Sequence, residues 1–298
     1  MKVVSLLPSG TEIVCALGMV DSLAGVSHEC DYPPKVANLP RLIRSVIDRN
    51  AMTSGEIDAK VVSSKRVHLI DIDQLKRIEP DVIITQEICN VCAVPHYQVL
   101  EAVKKAGITP NVVTLTSHTL DQVLENIIRV GQAVGKEGEA RDLVSSARER
   151  IGRVQRAVAR SKKVRAFCLE WMDPLMAAGD WVPEMVELAG GTDGLGKKGG
   201  HSTTLSSSRV IEYDPEVILV MPCGFPVERT MREVNKLKAS DWWEKTSAWK
   251  SGRTFIVDGN SYFTRSGPRL IDGLEILAKI LHPDAMTNEL DPSAVRKI

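Results

Sequence analysis

Aromatic side chains are scarce in this chain, at 4% of 298 residues, so each one that falls in a loop stands out. An excess of either charge is also missing: 38 basic residues meet 38 acidic ones. A broad nucleic-acid surface needs a basic surplus, so nucleic acid is not an expected partner. No apolar run approaches the roughly 20 residues of a membrane-crossing helix, and membrane insertion is not expected. The N-terminus, Met1-Lys2-Val3-Val4-Ser5-Leu6-Leu7-Pro8, has an apolar part only a few residues long. A secretory signal needs a longer apolar core and a small-residue cleavage site. As it stands the sequence is expected in the cytoplasm, or in the periplasm or another extracytoplasmic space if an export segment has been trimmed.

Catalytic signatures are missing too. Gly-x-Ser-x-Gly and Gly-x-x-x-x-Gly-Lys-Ser/Thr do not occur. Ser202 stands beside His201 without an identifiable third partner. The glycines from Gly190 to Gly200, with Lys197-Lys198, therefore read as a cleft loop rather than a phosphate cradle. Binding without catalysis is the expectation.

What is present is an α/β pattern, in two copies. Val3–Leu7 reads as a buried strand, a helix follows Pro8-Ser9-Gly10, and Leu23–Ser27 reads as the next strand. Short β-α-β connections of this kind build parallel sheets. From Leu120 to Arg160 apolar residues recur among charged ones without a proline. One helix of about forty residues is expected there, with a possible break at Gly135–Gly138. The α/β pattern restarts at Val164, and a loose tail is expected from His282.

The copies echo each other. Leu75-Lys76-Arg77-Ile78-Glu79-Pro80-Asp81-Val82-Ile83-Ile84 parallels Arg209-Val210-Ile211-Glu212-Tyr213-Asp214-Pro215-Glu216-Val217-Ile218. Both run helix, Pro and acid, then apolar strand, and both strands lead into a cysteine-bearing loop. The expected fold class is therefore α/β, two Rossmann-like lobes joined by a long backbone helix. Residues 1–118 form the first lobe, 119–162 the connecting helix and 163–298 the second lobe.

Those loops carry the candidate chemistry. Gln86 leads into Cys89-Asn90-Val91-Cys92, which sets two thiols one helical turn apart past a strand end. In open α/β folds that is where ligands bind. Cys30 and Cys223 lie in comparable post-strand loops, while Cys15 and Cys168 lie within apolar elements and are expected in the core. Four loop thiols, with His28 and His201, form a soft donor set suited to a metal ion or an iron–sulfur cluster. The alternative is that the thiols are small buried hydrophobes and the histidines solvated or capping groups. Arg265 flanks a Gly-Pro helix start, where it meets either an anionic ligand group or a salt-bridge partner.

Several ordered motifs resemble a known family. They are Ser5-Leu6-Leu7-Pro8-Ser9-Gly10-Thr11-Glu12, Gly25-Val26-Ser27 with Asp31-Tyr32-Pro33, the Pro80-Asp81-Val82-Ile83 strand, and Arg265-Ser266-Gly267-Pro268-Arg269 before the last helix. Together with the central helix they resemble the cluster III periplasmic binding proteins, in particular the vitamin B12-binding components of ABC transporters, within the helical-backbone metal receptors. The resemblance spans about Val3 to Pro283. It implies a small-molecule ligand between the lobes, such as cobalamin or another corrinoid, and an ABC permease as partner. Tyr32, Trp171, Trp181 and Phe225 would then supply faces for a large planar ligand. It also implies one exposed docking acid per lobe. Asp73 falls near the first position, and the non-acidic Ser207 or Ser208 near the second. The other reading is a cytoplasmic metal or redox protein that uses Cys30, Cys89, Cys92 and Cys223 on the same fold.

Overall fold

A computed structural model of the chain describes residues 1–64, 66–87 and 94–298. Its first lobe begins with β1 (Val3–Ser5), α1 (Pro8–Ala16) and β2 (Leu23–Val26). An excursion follows through β3 (Ile43–Ser45), α2 (Ser54–Ser63) and β4 (His68–Ile70). The lobe closes with α3 (Ile72–Ile78), β5 (Val82–Gln86), α4 (His96–Ala106) and β6 (Asn111–Leu115). The main sheet has the order β2-β1-β5-β6, and every pair is parallel. Both faces of such a sheet are covered, so β1 and β5 are buried along their whole length. The winding reverses between β1 and β5, the point at which an open α/β sheet leaves a crevice beyond its strand ends.

The connecting segment is interrupted at the glycines where a break was possible, and there it turns back on itself instead of continuing as one rod. It is two helices, α5 (Leu120–Ala133) and α6 (Glu137–Val158). Gly135 at φ +70° reverses the chain between them, a backbone state that glycine adopts without strain. Gly131 lets the helices meet, since a Cβ there would lie 2.4 Å from that of Ala140. The pair is antiparallel, with Arg148 of α6 reaching Asp121 at the start of α5. Only α6, 22 residues or roughly 33 Å long, has the span of a bridge.

The second lobe runs through β7 (Val164–Trp171), β8 (Met176–Ala177), β9 (Gly179–Asp180), α7 (Val182–Leu188), β10 (Gly191–Thr192), β11 (Lys197–Lys198) and β12 (Thr203–Thr204). It continues through α8 (Ser207–Tyr213), β13 (Val217–Val220), α9 (Val227–Met231), α10 (Val234–Lys238) and α11 (Ser247–Lys250). β14 (Thr254–Val257), α12 (Gly259–Tyr262), α13 (Leu270–Leu281) and β15 (Val295–Lys297) complete it. β7, β13 and β14 are parallel at the sheet centre, while β8 and β15 pair antiparallel at its flanks. α6 joins this lobe through Arg150, which donates to Asp272 and Glu275 of α13 at 2.5–2.9 Å. The tail expected to be loose is instead an edge strand. Val295 is buried, and Thr254 Oγ1 donates to the Ile298 carbonyl at 2.7 Å.

The excursion in the first lobe does not stay with it. Ile57, 2% exposed, packs in the apolar cluster of Phe167, Leu169, Phe225 and Trp243 in the second lobe, and Ile47, Met52 and Val61 lean on the same cluster. Polar contacts pin the crossing. Arg229 donates to the carbonyls of Arg49 and Met52, both at 2.6 Å, and Ser54 Oγ donates to Glu233 at 2.7 Å. The segment is an arm of one lobe folded into the core of the other.

Candidate functional site

The carboxyl ends of the two parallel sheets point at each other across a cleft of about 660 Å³. Leu7, Pro8 and Ser9 after β1, with Gln86 at the end of β5, form one wall. Glu170 and Trp171 at the end of β7, Cys223 and Gly224 after β13, and Asn260 of α12 form the other. Gln98 and Tyr97 of α4 and Phe263 after α12 also line it. Most of these side chains sit at the end of a buried strand or in the turn after it, so strand positions in the sequence locate much of the wall.

Charges in the wall are held by partners. Arg265 is 7% exposed, and its guanidinium donates to Asp31 at 2.5 and 3.0 Å, to Glu12 at 3.1 Å, to the Glu29 carbonyl at 3.1 Å and to Asn260 at 2.8 Å. Burial alone would lower its pKa, and the carboxylates of Asp31 and Glu12 raise it instead, so it stays charged. Arg49 pairs with Glu29 at 3.2 Å, and Arg66 with Glu101 at 3.1 Å. Burial works against the charged form of Glu29, yet the bonds from His28 and Arg49 hold its pKa near 2. Glu170 goes the other way. Desolvation, with the neighbouring Cys223 and Asp180, pushes it up to about 8 against the bond it accepts from Gly179 N–H. At neutral pH it presents a carboxylic acid, a hydrogen-bond donor.

The sequence-derived candidates separate in space. Gln86, Trp171, Trp181, Arg265, Cys223 and His201 all line the cleft. Trp181 is only 6% exposed, and its indole N–H donates to the Phe263 carbonyl at 2.8 Å. Phe225 lies behind the wall: fully buried, it packs on Trp171 with ring centres 5.3 Å apart and takes Arg229 over its other face. Tyr32 sits in a separate groove with Cys15 and Leu124, under the guanidinium of Arg269 at 4.1 Å. His28 turns to Glu29 at 3.1 Å and lies against His68.

Cys30 corrects the thiol reading. It is 1% exposed in the first lobe's core, with Thr11 Oγ1 3.0 Å away, and burial pushes its thiol up to about 11. Cys89 and Cys92 lie outside the described residues. The sequence reading passed over Glu170, Asp180, Gln98 and Asn260. Glu170 directly follows the strand read at Val164–Leu169 and was legible as such; the others needed the fold to bring β9, α4 and α12 to the cleft.

Two lobes bridged by a helix, with a strand-end cleft between them, define a two-lobed binding protein. The Periplasmic binding protein family model matches residues 3–260, and the chain belongs to that family. An uncharacterized ABC transporter substrate-binding lipoprotein, YvrC of Bacillus subtilis (strain 168), is 25% identical over 290 residues, covering 95% of this chain and 80% of that protein. The vitamin B12-binding protein of Vibrio cholerae serotype O1 (strain M66-2) is 24% identical, covering 92% of this chain and 86% of its own length. Among solved structures, the periplasmic heme-binding protein RhuT from Roseiflexus sp. RS-1 aligns with a TM-score of 0.72 at 22% identity, covering 96% and 99% of the two chains. The periplasmic vitamin B12-binding protein BtuF of Vibrio cholerae aligns at 0.67 and 21%, covering 94% and 96%. Both structures share the fold. No helix among the described residues is long and apolar enough to cross a membrane.

Proposed function

We propose that the cleft holds a corrinoid, a large ring carrying neutral amide side chains, for delivery to an ABC permease. The observation that carries this is the hydrogen-bonding character of the wall. Its polar lining is largely neutral, with Ser9, Gln86, Gln98, Ser202, Asn260 and Thr264, and Asn260, Thr264 and Gln98 are held in place by bonds to their neighbours. Glu170 adds a protonated acid. The guanidinium groups of Arg49, Arg66 and Arg265 are already engaged by carboxylates. Heme, the ligand named for RhuT, carries two propionates, and binding it would leave those anions facing a wall whose guanidinium groups, among the described residues, are already paired. Amides face no such penalty. Trp171 and Tyr97 supply the apolar faces for the ring.

Delivery to a permease follows from family membership, and the named B12-binding relatives support the ligand class. Asp73 is exposed at the first turn of α3 and suits docking; Ser207 and Ser208 are exposed at the equivalent turn of α8. We place the working protein outside the cytoplasmic membrane, in keeping with the lipoprotein YvrC. The test is a titration with cyanocobalamin, dicyanocobinamide and hemin, followed by visible absorption and thermal unfolding. A shifted corrinoid spectrum with a raised melting temperature is expected, and tighter hemin binding would overturn the reading.

A further inference from the structure

Three side chains that come together at the cleft margin are not needed to hold a corrinoid. His118, Asp180 and His201 each present a donor atom, and the three atoms lie within 4.8 Å of one another. His118 Nδ1 is 2.7 Å from Asp180 Oδ1, and His201 Nδ1 is 3.9 Å from the same oxygen. Tetrahedral ligands about 2.0–2.1 Å from a zinc ion sit roughly 3.3 Å apart, a value between those two distances. The imidazoles stand edge to face with centres 5.2 Å apart, so both can turn a nitrogen to one point.

The backbone is built to hold them there. His118 lies at the turn into α5, where its N–H donates to Gln122 Oε1 at 2.7 Å and the Thr119 side chain accepts from Gln122 N–H. The next residue, Leu120, donates its N–H to Glu184 of the second lobe at 2.9 Å. Asp180 takes φ +51°. Among the described residues, the other two non-glycine residues at positive φ, Glu79 and Asp214, close helices; Asp180 does not, and its conformation instead aims the carboxylate. β9 and β11 pair in parallel, and Gly199 at φ +69° turns the chain so that His201 returns beside Asp180. A Cβ at Gly179 would lie 2.3 Å from the Gly200 carbonyl, so the approach requires glycine. This is the Gly- and Lys-rich stretch that had no phosphate role.

We propose that His118, Asp180 and His201 form a site for a divalent transition metal of the zinc class, fastening the start of α5 to the second lobe. Two imidazoles and one carboxylate are a borderline donor set that suits zinc or cobalt(II) over calcium or magnesium. His201 is 68% exposed, and Asp180 and His201 line the cleft, so the fourth position opens toward it. The site does not depend on the corrinoid reading.

The test is calorimetric titration of EDTA-treated protein with zinc, alongside cobalt(II) binding followed by its visible d–d bands. One equivalent should bind, without thiolate-to-cobalt absorption in the near ultraviolet. His118→Gln and His201→Gln should each weaken binding at least tenfold with an unchanged circular dichroism spectrum. The double variant Cys89→Ala/Cys92→Ala should leave it intact. Zinc binding that survives both histidine substitutions, or that disappears with the cysteines, would overturn the proposal, as would no binding at all.

Discussion

The two lobes close one helix in the same manner and then part company. α3 ends at Glu79 with φ 49° and ψ 66°, and α8 ends at Asp214 with φ 47° and ψ 69°; each then feeds a buried parallel strand. Beyond that shared turn the side chains differ. Asp214 accepts from the N–H and hydroxyl of Ser247, both at 2.7 Å, and so ties α8 to α11. The contrast continues into the cleft, where the first lobe presents Ser9, Gln86 and Gln98, while the second presents Trp171, Glu170 and Cys223. Sheet geometry dictates the turn, whereas the chemistry of each wall is free to specialise.

The largest test of the contrast breaks the join between lobes with Ile57→Ala, in the arm. It opens a cavity in the second lobe's core at a cost of roughly 2–5 kcal/mol, although the residue belongs by sequence to the first. If the lobes were independent, the unfolding transition read by tryptophan fluorescence, which comes from the second lobe, would not move. Next comes Arg265→Ala. It removes a buried cation from between Glu12, which keeps Arg269, and the half-exposed Asp31, a loss of up to about 3 kcal/mol for the charge-assisted bonds to the buried partner. Denaturant unfolding should show it.

A third test concerns pH. Unfolded, Glu170 loses its proton near pH 4.5; folded, it keeps it to about 8. The native state therefore binds the extra proton, and this group's contribution falls as pH rises across that interval. Glu170→Gln removes that slope, so the variant's stability relative to the parent should be higher at pH 9 than at pH 5, by a few kcal/mol at most. A constant difference would mean an ordinary carboxyl. The smallest effect separates the matched turns. Glu79→Gly should stabilise by about 1 kcal/mol through relief of a left-handed non-glycine residue, and Asp214→Gly should not, because it also loses both bonds to Ser247.

Much of this fold was legible in the chain. Strands buried on both faces announce themselves as apolar runs, and the Pro-acid step before Val82 and Val217 marked the repeat. The split at Gly135 was legible as a weak point, yet the antiparallel return of α6 was not, because it depends on Gly131 admitting Ala140. The edge strand at Val295 was hidden in a polar tail, since one paired edge needs little apolar sequence. Among site residues, Gln86 and Trp171 were readable from strand ends. The burial of Cys30 was not, because just past a turn the chain dips into the core and no local pattern signals that. His118 carried no signal at all, being a single histidine whose partners lie more than sixty residues away.

The arm has a consequence for biosynthesis. Ser54 meets Glu233 across a separation of 179 residues, and among the described residues the buried apolar side chains clustered with Ile57 all follow Val164. A ribosome emits the arm well before any of them. Through most of translation the segment has β3 and β4 beside it but nothing to cover Ile47, Met52, Ile57 and Val61. The first lobe's sheet can form on the nascent chain while its arm waits exposed, so the last contacts of the first lobe are made only after the second has been synthesised.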